Sequence, residues 1–370
     1  MKKTCVITNI GAHYRFPIFQ LMSEELNCDF YLGDKVESPI KTFVYKKLKG
    51  YKASLHNVFF HHFYWQSHSV GLIKQDYEYY ILDGEPYCLS SWVILLLARL
   101  RGKTTVSWSH GWYGREKGLK KIIKKVFYSL FSKLMLYNEY AINLMEKEGF
   151  DRTKMFCIAN SMDSDKDLTI RKTLHKTNVY KDYFHNDCPT IIYCGRVQHR
   201  KKLEQVLDAM QILKSKGQIV NFMVIGKDVD SVNLTDQATS KGLSSQLWMY
   251  GPCYDDEKLG ELFYNATACV SPGNIGLTAI HVMSFGCPCV THNNFPEQMP
   301  EFEAIRTGLT GDFFEQDNIS DLALTISKWI GKNEQKREAV RQQCFSEVDR
   351  KWNIHHQLTI LKQVLNADKY

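Results

Sequence analysis

Two short loops carry the residue types best suited to chemistry on an anion. In "CGRVQHRKKLEQVLDAM", Gly195-Arg196 closes an apolar run, and Lys201 follows five residues after the arginine, ahead of a helical stretch. A guanidinium offers a rigid fork of donors and an ammonium a mobile point charge, a pairing that suits a diphosphate. A solvated basic loop is the other reading, because Arg200 and Lys202 stand beside them. In "SPGNIGLTAIHVMSFGCP", the turn Gly273–Gly276 leads into a short helix expected over Leu277–Phe285, capped by Gly286. The first N–H groups of such a helix lack internal partners and attract anions, and glycines admit a phosphate closely. That makes Gly273, Asn274, Ile275, Gly276, Leu277 and Thr278 a candidate anion seat, with His281 one turn further on. A plain strand–turn–helix is the alternative. His110, in "VSWSHGWYG", ends another apolar run. A neutral imidazole there can bond a sugar hydroxyl or polarise a leaving group, or it is a structural histidine in an aromatic cluster.

These loops need a scaffold that brings strand ends together. The first half alternates strand candidates (Thr4–Thr8, Asp29–Leu32, Val58–Phe60, Tyr79–Leu82, Thr104–Trp108, Met155–Ala159) with helices such as Ile18–Leu26 and Ser91–Leu100. Strands spaced by helices imply a parallel, doubly wound α/β sheet. The polar stretch around 161–187 interrupts the pattern. It then restarts with Thr190–Cys194, helix Leu203–Lys216, Asn221–Ile225, Leu247–Tyr250, helix Glu257–Tyr264, Cys269–Ser271 and Cys289–Thr291. The expected organisation is a first domain at 1–165, a linker at 166–188, a second domain at 189–345, and a C-terminal helical segment at 346–370 that crosses back to the first domain. Ligands in such sheets bind at the carboxyl ends of strands, where Gly11 and Gly195 also fall.

Composition sets the class. The 370 residues are 44% hydrophobic and 24% charged, as in soluble globular proteins. The eleven cysteines lack CxxC spacing and sit mostly in apolar runs, so they read as reduced core thiols rather than metal ligands. The N-terminus MKKTCVITNIGAH turns polar at Thr8 and Asn9, too early for a secretory core. The longest apolar run, Trp92–Ala98, is far short of the roughly 20 residues that span a bilayer. A net charge of +7 favours anionic partners. In "REKGLKKIIKKVFYSLFSKLM", apolar residues recur at helical spacing while Lys120, Lys121, Lys124 and Lys125 take the other face. One reading is attachment to an anionic membrane surface; the other is a core helix with a solvated lysine face.

Gly-Arg with a lysine five residues on, a Gly-x-x-Gly-Leu-Thr turn and Met-x-x-Gly-x-Pro together resemble the group 1 glycosyltransferases, also called family 4. "SHG" at 109–111, "NSMD" at 160–163 and "PEFEAIRTGLTGDFF" at 300–314 fit the family's running order. The resemblance implies the GT-B fold, two doubly wound Rossmann-like domains facing a central cleft, the first (1–165) an acceptor domain and the second (189–345) the nucleotide-sugar donor domain. It also implies a retaining enzyme with a nucleoside-diphosphate sugar as co-substrate, no cofactor and no metal. Arg196 and Lys201 would hold the donor diphosphate and stabilise the leaving group, and His110 would touch the donor sugar. The backbone of Asn274–Thr278 would bind donor phosphates or sugar, Gly11 would border phosphate and acceptor, and residues 251–253 would lie near the base.

One departure stands out. The family usually carries two glutamates eight positions apart, the first on the donor sugar and the second on the ribose hydroxyls. Here those positions hold Gly273 and His281. A neutral His281 would still accept a ribose hydrogen bond, favoured by a helix N-terminus that opposes the imidazolium, and Asn274 would take over the sugar contact. The expected protein is cytoplasmic and peripheral at the inner face of the cell membrane. It moves a hexose-type sugar to a glycan or lipid-linked saccharide acceptor in cell-surface polysaccharide synthesis. A non-catalytic nucleotide-sugar-binding or scaffolding protein is the alternative, motivated by the missing glutamates. A nucleotide-sugar epimerase would need an acidic pair that the sequence does not make evident. Nucleic acid is not an expected partner, because the basic residues are not interleaved with aromatics in a recognisable module.

Overall fold

Thr4–Thr8 (TCVIT) and Thr190–Cys194 (TIIYC) lack polar alternation, the mark of parallel strands covered on both faces. Each is an inner strand of its own parallel sheet. The computed structural model describes residues 3–37 and 40–366. It divides into one unit of Met1–Met162 with Asn353–Tyr370, and a second of Asp163–Trp352.

In the first unit the strands are β1 Thr4–Thr8, β2 Cys28–Gly33, β3 Tyr51–Leu55, β4 Asn57–Phe60, β5 Phe63–Gln66, β6 Tyr79–Asp83, β7 Thr104–Ser109, β8 Lys133–Leu136 and β9 Met155–Cys157. Seven of them form a sheet of order β3-β2-β1-β6-β7-β8-β9, every pair parallel. The candidate Val58–Phe60 is instead half of an antiparallel hairpin, β4 with β5. Its short run turns back through His61 (φ +53°) before it can reach the sheet. Successive side chains of the inner strands feed two cores. Cys5, Ile7, Tyr80 and Leu82 pack on one face, and Val6, Tyr79 and Ile81 on the other.

The second unit holds β10 Thr190–Cys194, β11 Asn221–Ile225, β12 Leu247–Gly251, β13 Ala268–Ser271, β14 Cys289–His292 and β15 Gly311–Phe314, in the order β12-β11-β10-β13-β14-β15. All its strand pairs are parallel. The polar segment read as a linker contains two helices, Ser164–Arg171 and Val179–Phe184, and clusters with this unit. Buried Ile170, Tyr180 and Phe184 anchor it, too few and too irregular to show as a hydrophobic period, and a cap and an ion pair add to them. The Asp163 carboxylate accepts the Lys166 N–H at 3.2 Å, and the Arg171 guanidinium pairs with Asp349 at 2.8 Å while lying 4.1 Å over the Phe345 ring.

The helix expected over Val348–Leu365 is broken. A long helix ends at Lys351 and a new one, Ile354–Asn366, begins after Asn353, whose side chain caps the His356 N–H at 2.8 Å. Ile354, Leu358, Leu361 and Val364 of this last helix join the first unit's core. In both sheets the strand order reverses at one point, β1/β6 in the first and β10/β13 in the second. Crevices at such switch points are where doubly wound sheets bind ligands.

Candidate functional site

A cavity of about 230 Å³ opens at the β10/β13 switch point. Arg196 and Lys201, singled out from the sequence, both line it, and so does Arg200, which the sequence left among solvated neighbours. Three cations and no acid are in its wall. Lys201 sits at the end of the turn His199–Lys201, and its ammonium bonds the Asn274 carbonyl at 2.5 Å and the Asn274 side-chain oxygen at 2.7 Å. Burial, then the charges of Arg200 and Arg196, hold Lys201 down to about 8, with Glu301 opposing. It is therefore still an ammonium at neutral pH, and an arriving anion would relieve the crowding of positive charge.

The glycine-rich turn is braced by a side chain that the sequence did not flag. Gln298 is buried, accepts the Ile275 N–H at 2.8 Å, and donates to Thr291 Oγ1 and the His292 carbonyl at 2.9 Å each. The Ile275 N–H is thus already used within the protein. Asn274, Ile275, Gly276 and Thr278 line the cavity with Gly195, while Gly273 and Leu277 are not in its lining. Thr278 ties the helix start to β10 by donating to the Cys194 carbonyl at 3.0 Å. The helix itself is only Thr278–Ser284, shorter than the span expected.

A second cavity, about 170 Å³, opens at the β1/β6 switch point of the first unit. His110 lines it, together with Arg15, Asp83, Glu85 and Trp108, none of them anticipated. The His110 ring stacks on Tyr113 at 5.8 Å and meets Tyr137 at 4.9 Å. Burial, then Arg15 and Lys124, lower it to about 4, so it is neutral. Burial and then Asp83 raise Glu85 to about 7. Burial also raises Asp83, although Arg15 and a 2.5 Å hydrogen bond from the Asn9 N–H favour its charged form. The signal for this pair was present in "YYILDGEP", two acids just past a strand end. Gly11 does not line the cavity. Its N–H donates to Tyr45 Oη at 3.0 Å, and a Cβ there would lie 2.6 Å from the Tyr45 ring, so it serves close packing.

Residues 178–344 match the family model described as glycosyl transferases group 1. They are a group 1 glycosyltransferase domain. No curated protein matches the sequence. Among solved structures, the chain is similar to the apo lipopolysaccharide outer core galactosyltransferase WaaB, at 14% identity and TM-score 0.71 over 99% of each chain. Anabaena HepE in complex with UDP matches at 12% and 0.75, over 99% of this chain and 100% of that one. Sucrose-phosphate synthase of Thermosynechococcus elongatus matches at 13% and 0.68 over the whole of both chains. The two doubly wound sheets are those of the GT-B fold.

The glycosyltransferase domain departs from its family for visible reasons. A Cβ on Gly273 would lie 2.3 Å from the Arg200 carbonyl oxygen and 2.7 Å from Lys201 Cα, and the Gly273 N–H donates to the Lys201 carbonyl at 3.0 Å. Glutamate cannot occupy 273 while the Lys201 turn lies there. His281 is outside the cavity's lining, wedged edge-on between Phe263 at 5.1 Å and Phe285 at 5.7 Å. Burial lowers it to about 4 against the pull of Asp256. It is neutral as expected, but through its aromatic seat rather than a helix end.

The basic helix, Gly118–Ser129, also differs from its four-lysine reading. Lys124 is tucked in, 2.6 Å from Glu116 and 4.9 Å over the Trp112 ring, with 18% of its side chain exposed. Lys121 pairs with Glu148 at 2.8 Å, and Lys125 donates to the Glu148 carbonyl at 2.5 Å. Lys120 is exposed. Phe127 and Phe131 enter the core, yet Leu119, Ile122, Ile123 and Val126 stay exposed. Among the described residues no helix is long and apolar enough to cross a membrane.

Proposed function

We propose that the protein transfers a hexose-type unit from a nucleoside-diphosphate sugar to a glycan or lipid-linked saccharide acceptor, with retention and without a metal. The observation that carries this is the cluster Arg196, Arg200 and Lys201 in one cavity of a group 1 glycosyltransferase domain. As the anomeric C–O bond breaks, negative charge grows on the diphosphate. Three cations in one wall stabilise that charge more than they stabilise the ground state, and they supply the positive charge a divalent ion would otherwise bring. UDP is the first donor nucleotide to test, since HepE was solved with it. Incubating the full chain with a panel of nucleotide sugars and saccharide acceptors should release nucleoside diphosphate. No release with any donor, alongside UDP binding, would favour the non-catalytic reading that the changes at 273 and 281 motivate.

The uncovered apolar residues Leu119, Ile122, Ile123 and Val126 beside Lys120 support a lipid-linked acceptor. An interfacial helix buries such a face among acyl chains while its lysines meet anionic headgroups. On this reading the protein works on cell-surface polysaccharide at the inner, cytoplasmic face of the membrane.

A further inference from the structure

Lys201 stands on a turn that is held from two sides. On the inner side, its carbonyl accepts the Gly273 N–H at 3.0 Å and its ammonium reaches Asn274. On the outer side, the next residue, Lys202, pairs its ammonium with Asp317 Oδ1 at 2.5 Å. The Gln205 side chain donates to the same oxygen at 2.7 Å. Asp317 belongs to the loop between β15 and the long helix that starts at Ile319, 115 residues from Lys202 in sequence.

Both members of this pair have left-handed backbone, with φ +53° at Lys202 and +63° at Asp317. Glycine takes that conformation without steric cost, and lysine rarely takes it at all. Two such residues joined by their own side chains point to a use for those side chains, because local strain persists where the surrounding structure gains from it. The turn closes without them: the Lys202 N–H donates to the His199 carbonyl at 3.0 Å whatever its side chain. What the side chain adds is a tie from the Lys201 turn to a distant loop. The pair is partly exposed, 31% at Lys202 and 53% at Asp317. Such pairs add little to global stability, so the worth of this one lies in where it holds the turn.

We propose that Lys202 and Asp317 are positioning residues, whose ion pair clamps the Lys201 turn to the loop after β15 and so sets the Lys201 ammonium in the cationic cavity. The clamp rests on the geometry; its effect on donor binding rests on the transferase reading. An ammonium already in place when the diphosphate arrives binds it with less ordering cost.

The test uses the full chain with Asp317→Gly, Lys202→Gly and both together. Each substitution relieves left-handed strain while losing an exposed pair, so the fold should survive with a urea midpoint near that of the unsubstituted chain. UDP affinity should nevertheless fall about two- to fivefold in each single variant, the scale of an exposed ion pair, and no further in the double variant. The sign at Asp317 separates the clamp from bulk charge. Charge alone would make UDP bind more tightly once that carboxylate is gone; a lost clamp makes it bind more weakly. Hydrogen exchange of the Gly273 amide, which the Lys201 carbonyl accepts, should quicken in both single variants without any ligand. Equal or tighter UDP binding by Asp317→Gly, losses that add in the double variant, or an unchanged Gly273 exchange rate overturns the proposal. UDP failing to bind the unsubstituted chain counts against the transferase reading instead, and leaves the Gly273 exchange to decide this one.

Discussion

The two cavities lie at equivalent places, each at the switch point of a doubly wound parallel sheet, yet their chemistry is opposed. In the second unit the wall is cationic, with Arg196, Arg200 and Lys201 and no acid. In the first unit, Arg15 faces Asp83 and Glu85 beside a neutral His110. Winding therefore places the two cavities, and the few residues just past the strand ends set the chemistry of each. One cavity suits a polyanion. The other sets one cation against two acids.

The sharpest way to break the contrast is to discharge the cationic cavity. Lys201→Ala or Arg196→Ala should lower kcat/KM by about 10²–10³-fold, the scale of losing a preorganised electrostatic contact. Melting temperature should stay put. Kinetics that match the unsubstituted enzyme would remove these side chains from the reaction.

Restoring the family's glutamate probes how the same cavity is built. Gly273→Glu forces a Cβ against the Arg200 carbonyl, and overpacking of this kind costs about 1–3 kcal/mol. Urea unfolding should register that loss together with weaker UDP binding. A fully stable, more active variant would show that the Lys201 turn yields easily.

On the first unit, replacing Ile122 and Ile123 together by Gln should weaken binding to phosphatidylglycerol vesicles by about tenfold or more, because each buried isoleucine is worth about 1.5–3 kcal/mol. Soluble-substrate turnover should not change. Lys124→Gln should matter less for vesicle binding, since Glu116 already holds that ammonium. Equal vesicle binding in all variants would count against a membrane face.

The smallest effect separates the cavities by pH. Lys201 is lowered, so its ammonium is present below about 8 and lost as pH rises through that value. UDP affinity should fall above it by about tenfold, the low end for a charge-assisted hydrogen bond, because the neutral amine can still donate. Lys201→Arg should flatten the fall, because a guanidinium keeps its charge. A wild-type profile already flat between neutral and alkaline pH would show that Lys201 makes no charged contact with the nucleotide.

Much of this was legible in the chain. Continuous apolar runs such as Thr190–Cys194 marked buried parallel strands, and their spacing with helices implied the doubly wound sheets. Gly195-Arg196 and Lys201 stood out because a strand end, a glycine and two cations occur within one short segment. Less regular elements stayed hidden. The residues 161–187 lack a strong hydrophobic period, yet Asp163 caps a helix there and Arg171 anchors it. The helix break at Asn353 falls inside an otherwise helical pattern, where the Asn353 side chain caps the His356 N–H.

What the sequence by itself determined was the fold class and the loops that carry charge, because periodicity and punctuation are local. Only the tertiary structure decided which distant residues meet. Arg15, Asp83 and His110 come from three separate segments and share a wall because β1, β6 and β7 lie side by side. It also decided the fate of individual candidates. Gly273 is a glycine because the Lys201 backbone presses on it, and His281 is neutral because two phenylalanines enclose it. Burial and close approach depend on how the strands and helices pack, and no residue's neighbours in sequence reveal that.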